Sequence, residues 1–204
     1  MDRGRNRLTL GECAPIWHRK LTMPYSPPPE LAELSLAQIA AQVEARTLPP
    51  VEEWNPQATS DSLMRIAADG TWFHDGSPIT RPAMVRAFVS LLIRDDTGQH
   101  WLVTPFEKQS IAVEDAAFIA VDVEAKERAL AFRLNTDDLV LAGPDHALVA
   151  RGDPDTPALY LAVRHGCEAR LNRSTYQQLA HIALEQGDGW AVSSCDATFS
   201  LVPQ

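Results

Sequence analysis

The sequence predicts an α+β protein built from two small αβ domains, each with an antiparallel sheet and one long helix. Short β-prone runs such as HWLVTP, SIAVED and FIAVDVEA follow one another closely, which is typical of antiparallel strands. The order apolar residue, capping residue, arginine and helix occurs at Ile79–Arg81 and again at Leu171–Arg173. A repeat this short arises by chance about as often as by duplication, but its presence favours a chain made of two similar halves.

Composition predicts a folded protein and restricts its partners. The 204 residues are 45% hydrophobic, which is enough for the buried core of one domain or of two modest ones. A formal net charge of -9 disfavours duplex nucleic acid and anionic membranes as partners of the whole molecule. No apolar run approaches the roughly 20 residues of a membrane-spanning helix, and the N-terminus lacks the apolar core of a secretory signal. We therefore expect a cytoplasmic protein.

Cysteine and histidine spacing predicts neither a disulfide framework nor a metal site. The three cysteines, Cys13, Cys167 and Cys195, are far apart and form no CxxC pair. The six histidines form neither HxH nor HExxH. Phosphate-binding loop, dinucleotide-binding and nucleophile-elbow motifs are absent from the sequence as well, so no cofactor can be assigned.

The first part of the chain differs from the rest. Basic residues outnumber acidic ones before Met23 and no apolar periodicity appears, so residues 1–29 are predicted to be a disordered leader. From Glu30 the apolar spacing predicts a helix through roughly Arg46, with Ser35 as an internal cap. Two prolines then end this helix.

The first predicted domain, residues 30–125, consists of that helix and an αβ unit. The segment DGTWFHDGSPI carries two Asp-Gly turn signals around an apolar pair, which predicts a hairpin-like entry. Thr80 can then cap a predicted helix that has Pro82 in its first turn. This helix has a wide apolar face that continues to about Ile93. The three β-prone runs that follow predict an antiparallel meander.

The second predicted domain, residues 126–204, is richer in strands. ALAFRL, DLVLAG, HALVARG and ALYLAVRHG are each strand-like. They precede a predicted terminal helix from Arg173 to Gln186.

The densest group of charges flanks the strand-like run SIAV. Following the alternation of a strand, Glu107 and Asp115 share a face with its apolar residues, while Lys108 and Glu114 lie on the other. Ion pairing is the favoured interpretation, because a carboxylate on a core face normally meets a cation or backbone N–H groups. Ligand contact and acid–base catalysis are the two alternatives.

Arginines and tryptophans near turns are the other candidate ligand contacts. Arg81 and Arg173 each precede or begin a predicted helix, where backbone N–H groups favour an anion. The simpler interpretation is that each arginine pairs with a carboxylate of the neighbouring sheet. Trp54 and Trp72 lie beside turn residues and could stack on a base, although filling the edge of the core is favoured.

Four segments together resemble a known family. LPPVEEWNP, IAADGTWFHDGSPITR, LVTPFEKQSIAVEDAAF and CEARLNRSTYQQLA are similar to the bacterial domain-of-unknown-function family twelve eighty-five, over about Leu48 to Ala183. Ala117 stands where that family has a proline, and Phe106 where a smaller aliphatic is usual. The resemblance implies two α+β domains with a duplicated motif and a C-terminal half superficially like pleckstrin-homology folds. It also implies a nucleotide-related ligand between the domains and a signalling role, without an assigned activity.

We therefore expect a non-enzymatic bacterial signalling or regulatory protein with a small, anionic, nucleotide-like ligand in the interdomain cleft. A first alternative is a hydrolase of nucleotides or phosphoesters that uses Glu107 with Glu114 or Asp115. A second is a protein-interaction module that binds a partner or a second copy through a sheet edge or apolar patch. The residues expected to bind the ligand are Arg81, Glu107, Lys108, Glu114, Asp115, Arg173, Trp54 and Trp72.

Overall fold

The computed structural model describes residues 29–187 and 189–203, which form two six-stranded sheets, a hairpin, three α-helices and two short 3₁₀ helices. The α-helices are α1 (Leu36–Glu44), α2 (Pro82–Val89) and α3 (Arg173–Gln186). The first sheet contains β1 (Ala58–Ile66), β2 (Trp72–His74), β3 (Ser77–Pro78), β4 (Leu92–Arg94), β5 (His100–Val103) and β6 (Glu107–Val113). The second contains β7 (Phe118–Lys126), β8 (Ala129–Leu134), β9 (Leu139–Leu141), β10 (Leu148–Asp153), β11 (Thr156–Arg164) and β12 (Cys167–Leu171). The hairpin is formed by β13 (Ala191–Ser194) and β14 (Ala197–Ser200).

Both sheets have the same strand order. The first runs β3-β2-β1-β6-β5-β4 and the second β10-β11-β12-β7-β8-β9. Each sheet is two antiparallel three-stranded units, and the first and last strands in chain order pair in parallel at its centre. The α+β class and the duplicated motif are thus confirmed, while the sheets are mixed rather than purely antiparallel.

The helices do not repeat in the same way as the strands. α2 connects β3 to β4, at opposite edges of the first sheet, whereas α3 follows β12, the last strand of the second sheet. Arg81 and Arg173 therefore occupy different places in the two units. The similar short sequences that precede these helices do not mark equivalent positions.

The predicted three-stranded meander is wrong in its third strand. β5 and β6 pair antiparallel as expected, but the other neighbour of β6 is β1. β7 instead pairs with β8 and β12, so the change of sheet falls between Val113 and Phe118. The division of the chain into domains 30–125 and 126–204 stays a prediction.

The segment before β1 packs against the second sheet. Leu31 and Ile39 are fully buried and contact Ala131 of β8, with Leu139 and Leu141 of β9 alongside. Ser35 forms a capping box with Gln38, so α1 begins at Leu36 rather than at Glu30. The predicted leader lies, apart from Pro29, outside the described residues.

One continuous hydrophobic core includes side chains of both sheets. Trp72 in the first sheet and Phe118 and Phe132 in the second are among its largest fully buried residues. Across the junction, the Arg94 N–H of β4 donates to the His165 carbonyl at the β11–β12 turn over 2.8 Å. Among the described helices, even the 14-residue α3 falls short of the length needed to cross a bilayer.

Candidate ligand site between the two sheets

A cavity of about 540 Å³ lies where the β1–β2 turn of the first sheet meets the second sheet and the start of α3. Ala68 and Asp69 line it from the first sheet. Its remaining lining comes from β7, the β8–β9 turn, β11, β12 and α3: Ile119, Val121, Asn135, Pro157, Ala158, Leu159, Arg170, Leu171, Asn172, Arg173 and Tyr176. The cavity thus combines an apolar floor with several polar groups, as small-molecule sites do. We call it the interdomain cavity.

The start of α3 presents backbone donors at this cavity. The Asn172 side chain accepts a hydrogen bond from the Thr175 N–H at 2.8 Å, and the Asn172 N–H donates to the Ala120 carbonyl. A helix leaves its first four N–H groups without partners inside the helix. Two of the four, those of Asn172 and Thr175, are engaged by these bonds, and the groups of Arg173 and Ser174 remain to bind an anion.

Arg173 adds a full charge beside those donors. Its side chain is exposed, and within residues 29–187 and 189–203 it has neither an ion pair nor a side-chain hydrogen bond. The pairing with a sheet carboxylate that the sequence favoured is therefore not formed by the described residues. Asp69 brings one carboxylate to the cavity, and the backbone N–H of Thr71 bonded to it lowers the pKa of that group.

Arg170 links the interdomain cavity to the connection between the sheets. Its guanidinium contacts the Asp115 carboxylate, which also accepts a hydrogen bond from the Tyr160 hydroxyl at 2.8 Å. The pKa of Arg170 is raised, mainly because its side chain donates a hydrogen bond to Asp115. The pKa of Tyr160 is raised as well, mainly by burial. Asp115 lies in the connection between β6 and β7, and these contacts hold that connection against side chains of β11 and β12.

A second polar cluster continues along the same face of the second sheet. Arg151 of β10 forms two hydrogen bonds with Glu168 of β12, at 2.6 and 2.8 Å, and these lower the pKa of Glu168. The Arg151 guanidinium also lies 4.6 Å from the centroid of the Tyr160 ring. Arg94 and His100 face the cluster from the first sheet across a cavity of about 240 Å³. Burial, with Arg94 nearby, lowers the pKa of His100.

Glu107 and Lys108 lie far from this junction. The Glu107 carboxylate accepts a hydrogen bond from the Ser60 hydroxyl at 3.2 Å, within the first sheet. The Lys108 ammonium lies 4.5 Å from the centroid of the Trp101 ring. β6 runs from Glu107 to Val113, so Glu107 and Glu114 are separated by roughly 20 Å of extended chain. That separation is too long for the two carboxylates to act on one bond, as the hydrolase alternative requires.

Glu114 is exposed and engaged at the end of β6. Its carboxylate contacts the Arg65 side chain of β1 and accepts the Ala68 N–H at 3.0 Å. Of the four clustered charges, Glu114 and Asp115 thus pair with arginines, which is the interpretation the sequence favoured. Among these four residues, only Asp115 forms a hydrogen bond with the second sheet in the part of the chain that the structure describes.

The remaining predicted contacts are spread over the first domain. Trp72 is 1% exposed and stacks on Phe88 of α2 with ring centroids 6.2 Å apart, so it fills the core. Trp54 is half-buried directly after a short 3₁₀ turn. Arg81 is the N-cap residue of α2 and lines a different cavity from Arg173.

Sequence reasoning missed Arg170, Tyr160 and Tyr176. The alternation of CEARL puts Glu168 and Arg170 on the face opposite three buried residues, so their shared orientation was readable. The sequence could not indicate that this face meets the connection after β6, because that contact joins residues 55 positions apart.

Two family models cover most of the chain. The N-terminal domain of the domain of unknown function DUF1285 matches residues 49–116, and the DUF1285 C-terminal domain matches residues 117–201. A solved DUF1285 family protein from Silicibacter pomeroyi DSS-3 is 41% identical with a TM-score of 0.69, covering 83% of this chain and 95% of that one. Another, from Shewanella baltica OS155, is 26% identical with a TM-score of 0.49, covering 59% and 91%. No curated protein matches. With both models matched in order along the chain, this protein belongs to the DUF1285 family.

Proposed function

We propose that this protein binds a small, phosphate-bearing, nucleotide-like ligand in the interdomain cavity and acts in bacterial signalling or regulation. The observation that carries the proposal is Arg173 without a carboxylate partner among the described residues, beside two uncapped N–H groups of α3. A guanidinium and a helix N-terminus together favour a phosphate group.

Other residues of the cavity fit the rest of such a ligand. Tyr176 lines the cavity one helical turn after Arg173 and supplies an aromatic ring there, and the Asp69 carboxylate can accept hydrogen bonds from ribose hydroxyls. The volume of about 540 Å³ lies within the range of small-molecule sites. These two side chains take the roles that the sequence had assigned to tryptophans and to the carboxylates around β6.

The position of the cavity supports a sensing role. Ala68 and Asp69 come from the first sheet, while Arg170 and Arg173 come from the second sheet and its helix. A ligand that contacts both sides stabilises the arrangement of the two sheets in which those contacts are made. Binding would then change the surface presented to a partner without any bond being broken in the ligand.

A thermal-shift screen tests the proposal with mononucleotides and with cyclic and dinucleotide messengers. A ligand at 100 times its dissociation constant adds about 2.7 kcal/mol to stability, which for this chain length raises Tm by roughly 5 to 10 °C. Calorimetry then compares the wild type with Arg173→Gln, which should weaken binding at least about tenfold. Arg81→Gln is the matched control, because Arg81 also lies at the N-terminus of a helix, as the N-cap of α2, but lines another cavity.

Two results would overturn the proposal. One is a flat screen on protein that melts cooperatively. The other is a ligand whose affinity is the same in Arg173→Gln as in the wild type. Chromatography of the recovered ligand distinguishes sensing from hydrolysis, since a sensor returns it intact.

A further inference from the structure

A cavity of about 800 Å³ lies inside the first domain, between α2 and the strands β1, β2 and β6. It shares no lining residue with the interdomain cavity. Its floor is apolar and is formed by Met64, Ile79, Met84, Phe88, Leu91 and Leu102. We call it the α2 cavity.

A strained bulge of β1 forms one wall of the α2 cavity. The pairing of β1 with β6 passes from Asp61–Ser110 directly to Met64–Ile111, so Ser62 and Leu63 are extra residues on β1. Leu63 has φ 54, in the left-handed region that leucine rarely adopts. Its side chain is 59% exposed.

The bulge is held by specific hydrogen bonds. The Leu63 N–H donates to the Asp61 carboxylate at 3.0 Å, and the Asp75 N–H donates to the Leu63 carbonyl at the same distance. The Ser62 hydroxyl donates to the Ser110 carbonyl and accepts from the Met64 N–H. The surroundings thus impose this conformation on position 63, and glycine or asparagine would adopt it more easily.

Neither burial in the core nor backbone preference accounts for a leucine at this position. Its side chain is neither buried in the core nor compatible with its backbone at low cost, yet it faces the α2 cavity. Met84 of α2, which is 40% exposed, adds a second large apolar side chain to the cavity. Backbone strain that the surroundings enforce is typical of functional sites, and these side chains suit the apolar part of a ligand.

One end of the α2 cavity carries a cation, Arg81, whose side chain has neither an ion pair nor a hydrogen bond with a partner among the described residues. The Asp61 carboxylate, also on the cavity, is engaged by Leu63 and by the Ser110 hydroxyl at 3.4 Å. His74, Thr104 and Gln109 complete a polar rim.

We propose that the α2 cavity binds a medium-sized apolar monocarboxylate. Its carboxylate lies on Arg81 and its hydrocarbon part lies against Leu63, Met84 and Phe88. A guanidinium binds a carboxylate through two parallel N–H···O bonds. The Phe88 ring is stacked on Trp72 and gives the floor a fixed shape. This site is independent of the nucleotide-like ligand proposed above.

Calorimetry with decanoate on the full chain tests the proposal. We expect one decanoate per chain, and decan-1-ol, which lacks the charge, should bind at least about tenfold more weakly. Arg81→Gln should reduce decanoate affinity by a similar factor and abolish the difference between the acid and the alcohol. Arg173→Gln should leave decanoate binding unchanged.

A second variant tests whether the Leu63 side chain contacts the ligand or has only a structural role in the bulge. Asn tolerates a positive φ, so Leu63→Asn should fold with an unchanged or raised Tm while losing at least about fivefold in decanoate affinity. Leu184→Asn is the matched control, because Leu184 is a 70% exposed leucine of α3 outside this cavity. Any of three results would overturn the proposal. The acid and the alcohol could bind with equal affinity, or several decanoates could bind per chain. The third result is wild-type decanoate affinity in both Arg81→Gln and Leu63→Asn.

Discussion

Cys167 illustrates how burial changes the chemistry of a single residue. It lies on β12 with 2% of its surface exposed, and burial raises its pKa from 9.0 to about 12. The folded protein therefore holds the thiol proton more tightly than the unfolded chain does. The stability that depends on the neutral thiol is complete below pH 9 and is lost as pH rises towards 12.

We expect Cys167→Ala to flatten the loss of stability in alkaline solution. Between pH 9 and 12 its free energy of unfolding should fall less steeply than that of the wild type, by up to about 1.4 kcal/mol per pH unit. Urea unfolding across this range measures the difference. Cys195→Ala serves as the control because Cys195 is only half-buried. A slope in Cys167→Ala as steep as in the wild type would contradict this explanation.

At the scale of elements, α1 is an example of a helix that depends on its docking. A helix of nine residues is marginal on its own even with a capping box. Ile39 is its only fully buried residue and packs on the second sheet together with Leu31 and Leu34. The Lys126 ammonium also donates to the Ala32 carbonyl at 2.8 Å, just before α1.

Ile39→Ala should therefore destabilise the protein and release this segment. Truncating a buried isoleucine costs about 2 to 5 kcal/mol, and the loss should appear in urea unfolding. Limited proteolysis should cut between residues 30 and 57 faster than in the wild type. Val43→Ala, on the same helix at 39% exposure, should change stability by less than about 0.5 kcal/mol. Unchanged cleavage in Ile39→Ala would mean that other contacts hold α1.

Local signals account for the elements whose bounds were predicted well. α3 spans Arg173–Gln186 as expected, because Asn172 is a strong capping residue and the apolar spacing is continuous. α2 ends at Val89, whereas its apolar face was expected to reach Ile93. Leu92 and Ile93 belong to β4 and pair with β5, and so short an apolar run fits either period.

At the scale of the whole molecule, the pairing of strands that are distant in sequence determines the sheet topology, which local sequence patterns do not predict. The parallel contacts of β1 with β6 and of β7 with β12 give both sheets one topology, although each joins residues about 50 positions apart. The same holds for the candidate site. Arg173 was predicted from its place in α3, while its neighbour Arg170 depended on knowing which face of β12 meets the first domain.

The junction between the sheets leaves no room for a side chain at Gly166. This residue follows His165 in the β11–β12 turn with φ 73, and a Cβ would lie 2.6 Å from the Arg94 carbonyl oxygen of β4. Such a contact requires backbone to move, because the obstacle is a carbonyl group rather than a flexible side chain. The close approach of these two backbones fixes the first sheet against the second.

Gly166→Ala should therefore weaken the association of the two sheets. Gly152→Ala is the matched control, since Gly152 has φ 90 but nothing within 4 Å of its Cβ position. The control should lose about 1 kcal/mol from the strained backbone alone. Gly166→Ala should lose more, and its urea unfolding should broaden or separate into two steps as the sheets lose their contact. Equal losses in the two variants would show that the β4 contact does not hold the sheets together.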